Sequence, residues 1–327
     1  MITVIGEALI DLVGDGAVFQ ATPGGSPANV AVGLARLDQP CDFLCRTSGD
    51  SFGARLREHL RTNGVSLRHA VPATERTTLA IATLDPSGSA AYEFYVEGTA
   101  DWQWTTTELP SPLPQDVVAL HTGSLALAID PGAAVLEEYL RRERERGAVT
   151  ISLDPNVRPQ LAPDRDASRQ RIERQVSYAH VVKASAEDLG WLYPGEPVVD
   201  VVRHWCGLGP SLVVLTLGAE GALALAAGGE VVEVSAPRVQ VVDTVGAGDA
   251  FSAALLSGLA DRDLLSRLRT AQVRTLQPGP DDSAVRGALP DVLRRACTAA
   301  ALTCTRPGAD PPTASELANA TNNASDT

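Results

Sequence analysis

Short apolar runs alternate with amphipathic ones through most of the chain. Continuous or nearly continuous apolar stretches at 3–5, 42–45, 117–121, 150–153, 180–182, 212–217 and 239–242 predict strands. Between them, apolar positions at helical spacing predict helices over 27–37, 52–62, 132–146, 165–178, 187–192, 198–205, 248–259 and 287–305. Strands separated by helical stretches imply βαβ units. The expected fold is therefore α/β, with a mostly parallel central sheet covered by helices on both faces. Such sheets bind ligands outside the carboxyl ends of their strands. Two places break the rhythm. The stretches 78–84 and 91–96 flank Asp85-Pro86-Ser87-Gly88, a hairpin signal, and 12–19 is a further short β-like stretch. Together these predict a small β lid, drawn from about 12–22 and 77–100, over one main domain spanning 1–317. The polar residues 318–327 predict a frayed, disordered tail.

Composition narrows the class. A chain of 327 residues with 44% hydrophobic content can bury a large core. Its formal charge of −13 argues against nucleic acid or an anionic membrane surface as a partner. The most apolar window, 212–227, is broken by Gly218, Glu220 and Gly221, so it predicts no membrane span. Five cysteines, Cys41, Cys45, Cys206, Cys297 and Cys304, are odd in number and fit no zinc spacing. They are expected to be reduced thiols in a cytoplasmic protein, in keeping with a start that enters an apolar strand without a secretory pattern. The run from Glu137 to Arg146, with Glu-to-Arg pairs four apart, predicts a solvated helix face.

Candidate chemistry centres on Asp243-Thr244-Val245-Gly246-Ala247-Gly248-Asp249. A β-prone run leads into it and a small-residue helix leads out. The glycines let a ligand sit directly on the backbone, where free N–H groups and the positive end of the helix dipole make an anion site. Asp249, in the first helical turn, could take a proton from a hydroxyl beside that anion. An ordinary strand-to-helix turn with an acid favoured by the dipole remains the alternative. Thr22-Pro23-Gly24-Gly25-Ser26-Pro27-Ala28-Asn29 comes next, with Ser26 suited to an N-cap and Pro27 to the first helical position. Gly24, Gly25 and Asn29 suit the hydroxyls of a small polyol, as does Asp11 near the end of the first strand; a plain loop entering a helix fits equally. Arg158, in Asp154-Pro155-Asn156-Val157-Arg158, could clamp a phosphate or substrate oxygen, or lie on the surface. Lys183 is the sole lysine and is not preceded by a glycine loop, which excludes Walker A and protein-kinase phosphate binding. A dinucleotide fingerprint fails because Phe251 stands where the third glycine belongs.

Together these motifs resemble the ribokinase-like sugar kinases, the PfkB family, from Met1 to about Leu317. The carriers are Asp243-Thr-Val-Gly-Ala-Gly-Asp249 and Gly24-Gly25-Ser-Pro-Ala-Asn29. The resemblance implies an ATP-dependent sugar kinase, most like a bacterial fructokinase, with Mg2+ as cofactor and K+ as an activator in many members. Asp249 is implied as the catalytic base, and Gly246, Ala247 and Gly248 as the anion hole. Asp11, Gly24, Gly25, Asn29, Tyr95 and Arg158 are implied as substrate contacts. Lys183, Ser185, Thr216, Gly218, Glu220 and Gly221 lie on the nucleotide side, with 300–312 lining the adenine. Asp243 and Val245 match positions that bind potassium. Where the family often carries Asn-x-x-Glu to support magnesium and its waters, this chain has Ser185-Ala186-Glu187-Asp188, so Glu187 or Asp188 supplies the carboxylate. A homodimer through the lid is a further implied partner.

The same fold also serves 2-keto-3-deoxygluconate and nucleoside kinases, and a catalytically silent sugar sensor is a third alternative. Keto-acid kinases that resemble this chain place an arginine after paired aromatics in the lid. Here the stretch reads Glu93-Phe94-Tyr95-Val96-Glu97, which favours a neutral ketohexose phosphorylated on a primary hydroxyl.

Overall fold

The computed structural model describes residues 1–14, 16–84, 90–162, 164–271 and 282–325. Eight strands form the central sheet in the order β14 (Val231–Val234), β13 (Ala222–Ala226), β12 (Leu212–Thr216), β11 (Val181–Ser185), β10 (Thr150–Asp154), β9 (Ala119–Gly123), β1 (Ile2–Ile5) and β4 (Cys41–Leu44). Pairing is parallel from β12 to β4 and antiparallel among β12, β13 and β14. Strands β1, β4, β9 and β10 are buried along their whole length. Covering both faces of a parallel sheet requires uninterrupted apolar runs, which is why these strands stand out in the sequence.

Each face carries its own core. On one, α1 (Ser26–Arg36), α7 (Ala247–Ala260) and α9 (Asp282–Cys304) pack over Val4, Phe43 and Val214. The helices α2 (Ser51–Thr62), α8 (Leu264–Thr270) and α10 (Ala314–Ser325) join the same cluster. On the other, α3 (Gly132–Arg146), α4 (Arg165–Tyr178), α5 (Ala186–Leu192) and α6 (Val198–Leu208) cover Ile5, Ile151 and Val213. The charged face of α3 is only partly solvated: Arg141 pairs with the exposed Glu138 and Glu145, whereas Glu143 is buried and pairs with Arg146. All five cysteines are free thiols.

A second sheet stands apart, ordered β3 (Phe19–Gly24), β2 (Leu9–Gly14), β7 (Leu79–Leu84) and β8 (Ala90–Tyr95). It is the small β element expected from the break in rhythm, although 12–19 is not one strand: residues 12–14 end β2 and Phe19 begins β3. Within it β2 pairs antiparallel with β3, placing Asp11 opposite Thr22. The turn expected at 85–88 lies outside the described residues. A two-stranded parallel pair, β5 (Arg46–Ser48) and β6 (Val71–Ala73), lies after β4.

Two expectations are corrected. The run 239–242 is not a strand: Val241 and Val242 are 59% and 61% exposed, and the Val242 N–H donates to the Cys304 carbonyl at 2.8 Å. β-Branched residues there have no neighbouring strand to pair with, and propensity alone does not make a ladder. The strand expected over 212–217 is β12, and Gly218–Glu220 turns the chain from it into β13. Residues 318–325 continue α10, which the buried Leu317 anchors, in place of a frayed tail. The start of α10 is fixed by Thr313, whose N–H donates to the Glu316 carboxylate at 2.8 Å.

Candidate active site

The parallel strands deliver their carboxyl ends to one edge: Gly6–Ala8 after β1, Gly123 and Ser124 after β9, Asp154–Arg158 at β10, and Ser185–Asp188 at β11. The sheet grows from β1 to β4 in one direction and from β9 to β12 in the other, so a crevice opens between β1 and β9. Helix α7 brings its N-terminus into this region. Gly246 caps it at φ +75°, and a Cβ there would lie 2.6 Å from the Ala309 methyl, so only glycine fits. A Cβ at Gly248 would lie 3.1 Å from Lys183 Nζ. The Gly-Ala-Gly turn is thus held between the C-terminal loop and the only ammonium of any lysine side chain, as an anion site requires.

Close packing of α1 on α7 aligns their first turns. At Gly33, an added Cβ would approach the Ala253 methyl to 2.7 Å. As a result Ser26 Oγ donates to one oxygen of Asp249 at 2.6 Å, and Asn29 Nδ2 donates to the other at 2.8 Å. Gly25, not Ser26, is the N-cap of α1, at φ +102°. That correction has a chemical reason: the Ser26 hydroxyl is spent on the neighbouring helix's carboxylate. Asp249 is 8% exposed, and burial above all raises its pKa. The two hydrogen bonds oppose the rise, the charge of Asp154 adds to it, and Lys183 opposes it.

Across from Asp249, the lid supplies Asp11. Its carboxylate lies directly on Gly24, leaving no room for a side chain there. Burial pushes the Asp11 carboxyl up to about 6; Arg158 draws it down and the charge of Asp249 raises it. Asp249, Asn29, Asp11 and Arg158 are therefore brought together. Arg158 is exposed and bonded to the Asn156 side chain and the Val157 carbonyl.

At the ends of β10 and β11, Lys183 donates to Asp154 Oδ2 at 2.9 Å in a buried ion pair, with Ser252 Oγ on the same oxygen at 3.3 Å. The other oxygen, Asp154 Oδ1, is buried without a protein partner. Burial works to lower the Lys183 pKa, yet Asp154, by charge and hydrogen bond, with Asp188 and Asp249, holds it above its ordinary value. The Asp188 carboxylate accepts from Val157 N–H, Ser185 N–H and Ser185 Oγ at 2.8, 3.0 and 2.7 Å. It closes the capping box of α5, whereas Glu187 is exposed. Thr216 ends β12, and Gly218 and Gly221 make the following turn at φ +59° and +118°, with Glu220 exposed between them. Asp243 spans two loops, accepting from Val245 N–H at 3.0 Å and Gly308 N–H at 2.8 Å. Tyr95 and Glu220 are exposed on the rims and make no contact with Asp249. Among the described residues, no cluster of three His, Cys, Asp or Glu side chains could cage a metal.

Sequence reasoning missed Ser26 as a partner of Asp249 and Asp154 as the partner of Lys183. The first had a signal, since Ser26 and Asn29 are three apart and so share a helix face. The second is visible only once β10 and β11 are known to be neighbours.

A buried carboxylate aimed by two donors at the head of a glycine-capped helix, facing the Asp11 carboxyl, suits a phosphotransferase acting on an alcohol. The chain matches the model of the pfkB family carbohydrate kinases over residues 1–316 and belongs to that family, with its ribokinase-like fold. It is 37% identical to a fructokinase of Rhizobium leguminosarum bv. trifolii over 288 residues, which is 86% of this chain and 87% of that one. Among solved structures, the Xylella fastidiosa fructokinase with bound ATP superposes with a TM-score of 0.86 at 28% identity, covering 99% of both chains. A fructokinase of Vibrio cholerae O395, bound to fructose, ADP and a potassium ion, gives 0.81 at 29% identity over 97% of each. No helix among the described residues is long and apolar enough to cross a membrane.

Proposed function

We propose that the chain transfers the γ-phosphoryl group of ATP to a primary hydroxyl of D-fructose. The observation that carries this is the Asp249 carboxylate, buried, oriented by Ser26 and Asn29, and set at the N-terminus of α7 opposite Asp11. Asp249 takes the proton of the attacking hydroxyl; its raised pKa makes it a better base near neutral pH. Asp11 and Asn29 hold the sugar hydroxyls, and Arg158 meets a sugar or phosphate oxygen. The backbone N–H groups of 246–248 and the Lys183 ammonium meet the charge on the transferred group.

The residues fit a magnesium ion held mainly by nucleotide phosphates and water, as such ions are in phosphoryl transfer. Glu187 is the carboxylate for those waters, since Asp188 is occupied by three donors. Bound there, the ion neutralises phosphate charge. Asp243 and Val245 are assigned to potassium, Thr216, Gly218, Glu220 and Gly221 to the nucleotide, and Tyr95 to the sugar rim. The free cysteines support a cytoplasmic location. Exposed Val13, Phe19 and Tyr95 on the lid support a homodimer through that sheet.

A neutral sugar is favoured over a keto acid because Glu97 is exposed beside Tyr95 and Asp11 lies in the site, so an anion meets like charge twice. A missing charge-assisted contact costs ~1.5–3 kcal/mol, or roughly ten- to hundred-fold in affinity. ADP-coupled turnover of fructose and of 2-keto-3-deoxygluconate tests the assignment. A higher kcat/KM for fructose is expected, and a higher value for the acid would overturn it.

A further inference from the structure

The lid joins the central domain at four crossings: 6–8 into β2, 24–25 out of β3, 77–78 into β7 and 96–100 out of β8. Three of them are tied to the buried Asp101 carboxyl, directly or through Thr78, and the fourth, at Gly25, packs on the backbone of the buried Glu7; neither carboxyl takes part in the chemistry above. Asp101 is 1% exposed; its Oδ1 accepts from Ala8 N–H at 2.9 Å and its Oδ2 from Thr78 Oγ1 at 2.5 Å. Thr78 Oγ1 also lies 2.6 Å from Thr99 Oγ1, which donates to the Val96 carbonyl at 2.9 Å. Glu7 accepts from Ala126 N–H at 3.1 Å, which fixes the first crossing to the segment after β9. Its carbonyl faces Gly25, where a Cβ would approach it to 2.6 Å.

We propose that Asp101 is a positioning residue, whose hydrogen bonds to Ala8 and Thr78 gather the roots of the lid strands and set Asp11 opposite Asp249. Strand β2 carries Asp11 three residues beyond Ala8, and β7 pairs with it in parallel from Ile10–Leu79 onward. Fixing both roots therefore fixes the register and tilt at which Asp11 faces the crevice. Arg46, on β5, approaches the same turn through the Ala100 carbonyl at 2.9 Å and ties it to Glu75 and Glu108. The arrangement is a costly one. Burial, more than any other cause, raises the carboxyls of Glu7 and Asp101, and Glu7 is raised further by the charge of Asp101. Apolar residues would stabilise the core at least as well, so specificity of placement is what these carboxyls supply.

The inference rests on the sugar-kinase assignment, which wild-type turnover of fructose tests separately. Thr78→Val is isosteric at a site with no exposure and removes only the hydroxyl that links Asp101 to Thr99. The expected result is a sugar KM about tenfold higher, the scale of one charge-assisted hydrogen bond, with kcat and the KM for ATP within about twofold. Thr78→Ser should restore the wild-type sugar KM. A folded Thr78→Val enzyme with wild-type sugar KM overturns the proposal, as does an equal rise in both KM values or failure of Thr78→Ser to rescue. Loss of folding in Thr78→Val also overturns it, since the cluster would then hold the core together rather than place the lid.

Discussion

The two sheets of this molecule are built to different rules. Strand β10 is buried at all five of its positions, whereas β3 is exposed at two and fully buried at only one. The central sheet is covered on both faces and carries the buried Lys183–Asp154 pair and the turns proposed to receive phosphate. The lid sheet has one wet face and carries Asp11 and Tyr95, the groups proposed to meet the sugar. On the proposed function, division of the site between a fixed platform and a light cover would let binding energy close the crevice and exclude water, whose attack would waste ATP. The part of the site that needs precision sits on the part of the molecule with most burial.

The largest effect should come from breaking the platform. Lys183→Met leaves Asp154 buried and unpaired, and should cost ~3–5 kcal/mol in chemical denaturation. Combining it with Asp154→Leu should recover much of that stability without recovering activity, which separates the structural from the catalytic share of the pair. Next, Asp249→Asn should lower kcat by at least ~10²-fold while the melting temperature stays close to wild type, the usual scale for loss of a general base. Wild-type turnover in the purified variant would contradict the assigned role.

Changes at the junction should be smaller and fall on the sugar. Gly25→Ala meets both an unfavourable φ and the Glu7 carbonyl, and should cost roughly 1–3 kcal/mol while raising the sugar KM more than the ATP KM. The smallest effect concerns pH. Burial pushes Glu7 up to about 7, so the folded state holds its proton more tightly than the unfolded state does. The stability this proton lends is fully present below the unfolded value near 4.5 and is lost as pH rises through about 7. Thermal melts from pH 5 to 8 should therefore decline, and Glu7→Gln should flatten that decline by roughly 3–5 °C.

The sequence was most legible where the environment is uniform. Double-sided burial wrote β1, β10 and β11 as apolar runs, and the need for glycine is visible at Gly246, against Ala309, and at Gly248, against Lys183. Legibility failed where a residue's meaning depends on distant partners. Val241 and Val242 have strand propensity but no strand beside them. Ser26 looks like a cap until α7 is seen alongside, and Asp101 looks like a loop acid until Ala8 and Thr78 are brought to it from residues 93 and 23 positions away. The proposal of Glu187 over Asp188 likewise turns on the Val157 N–H, which reaches Asp188 from 31 residues away, whereas the Ser185–Asp188 capping box is itself written in the spacing.

Hydrogen exchange with and without saturating fructose tests the central claim, that one sheet is a fixed platform and the other a cover. The amides of β2, β3, β7 and β8 should gain protection on binding, while those of β1, β10 and β11 stay as they were. Unchanged protection across the lid strands at saturating sugar, or equal changes in both sheets, would contradict the account.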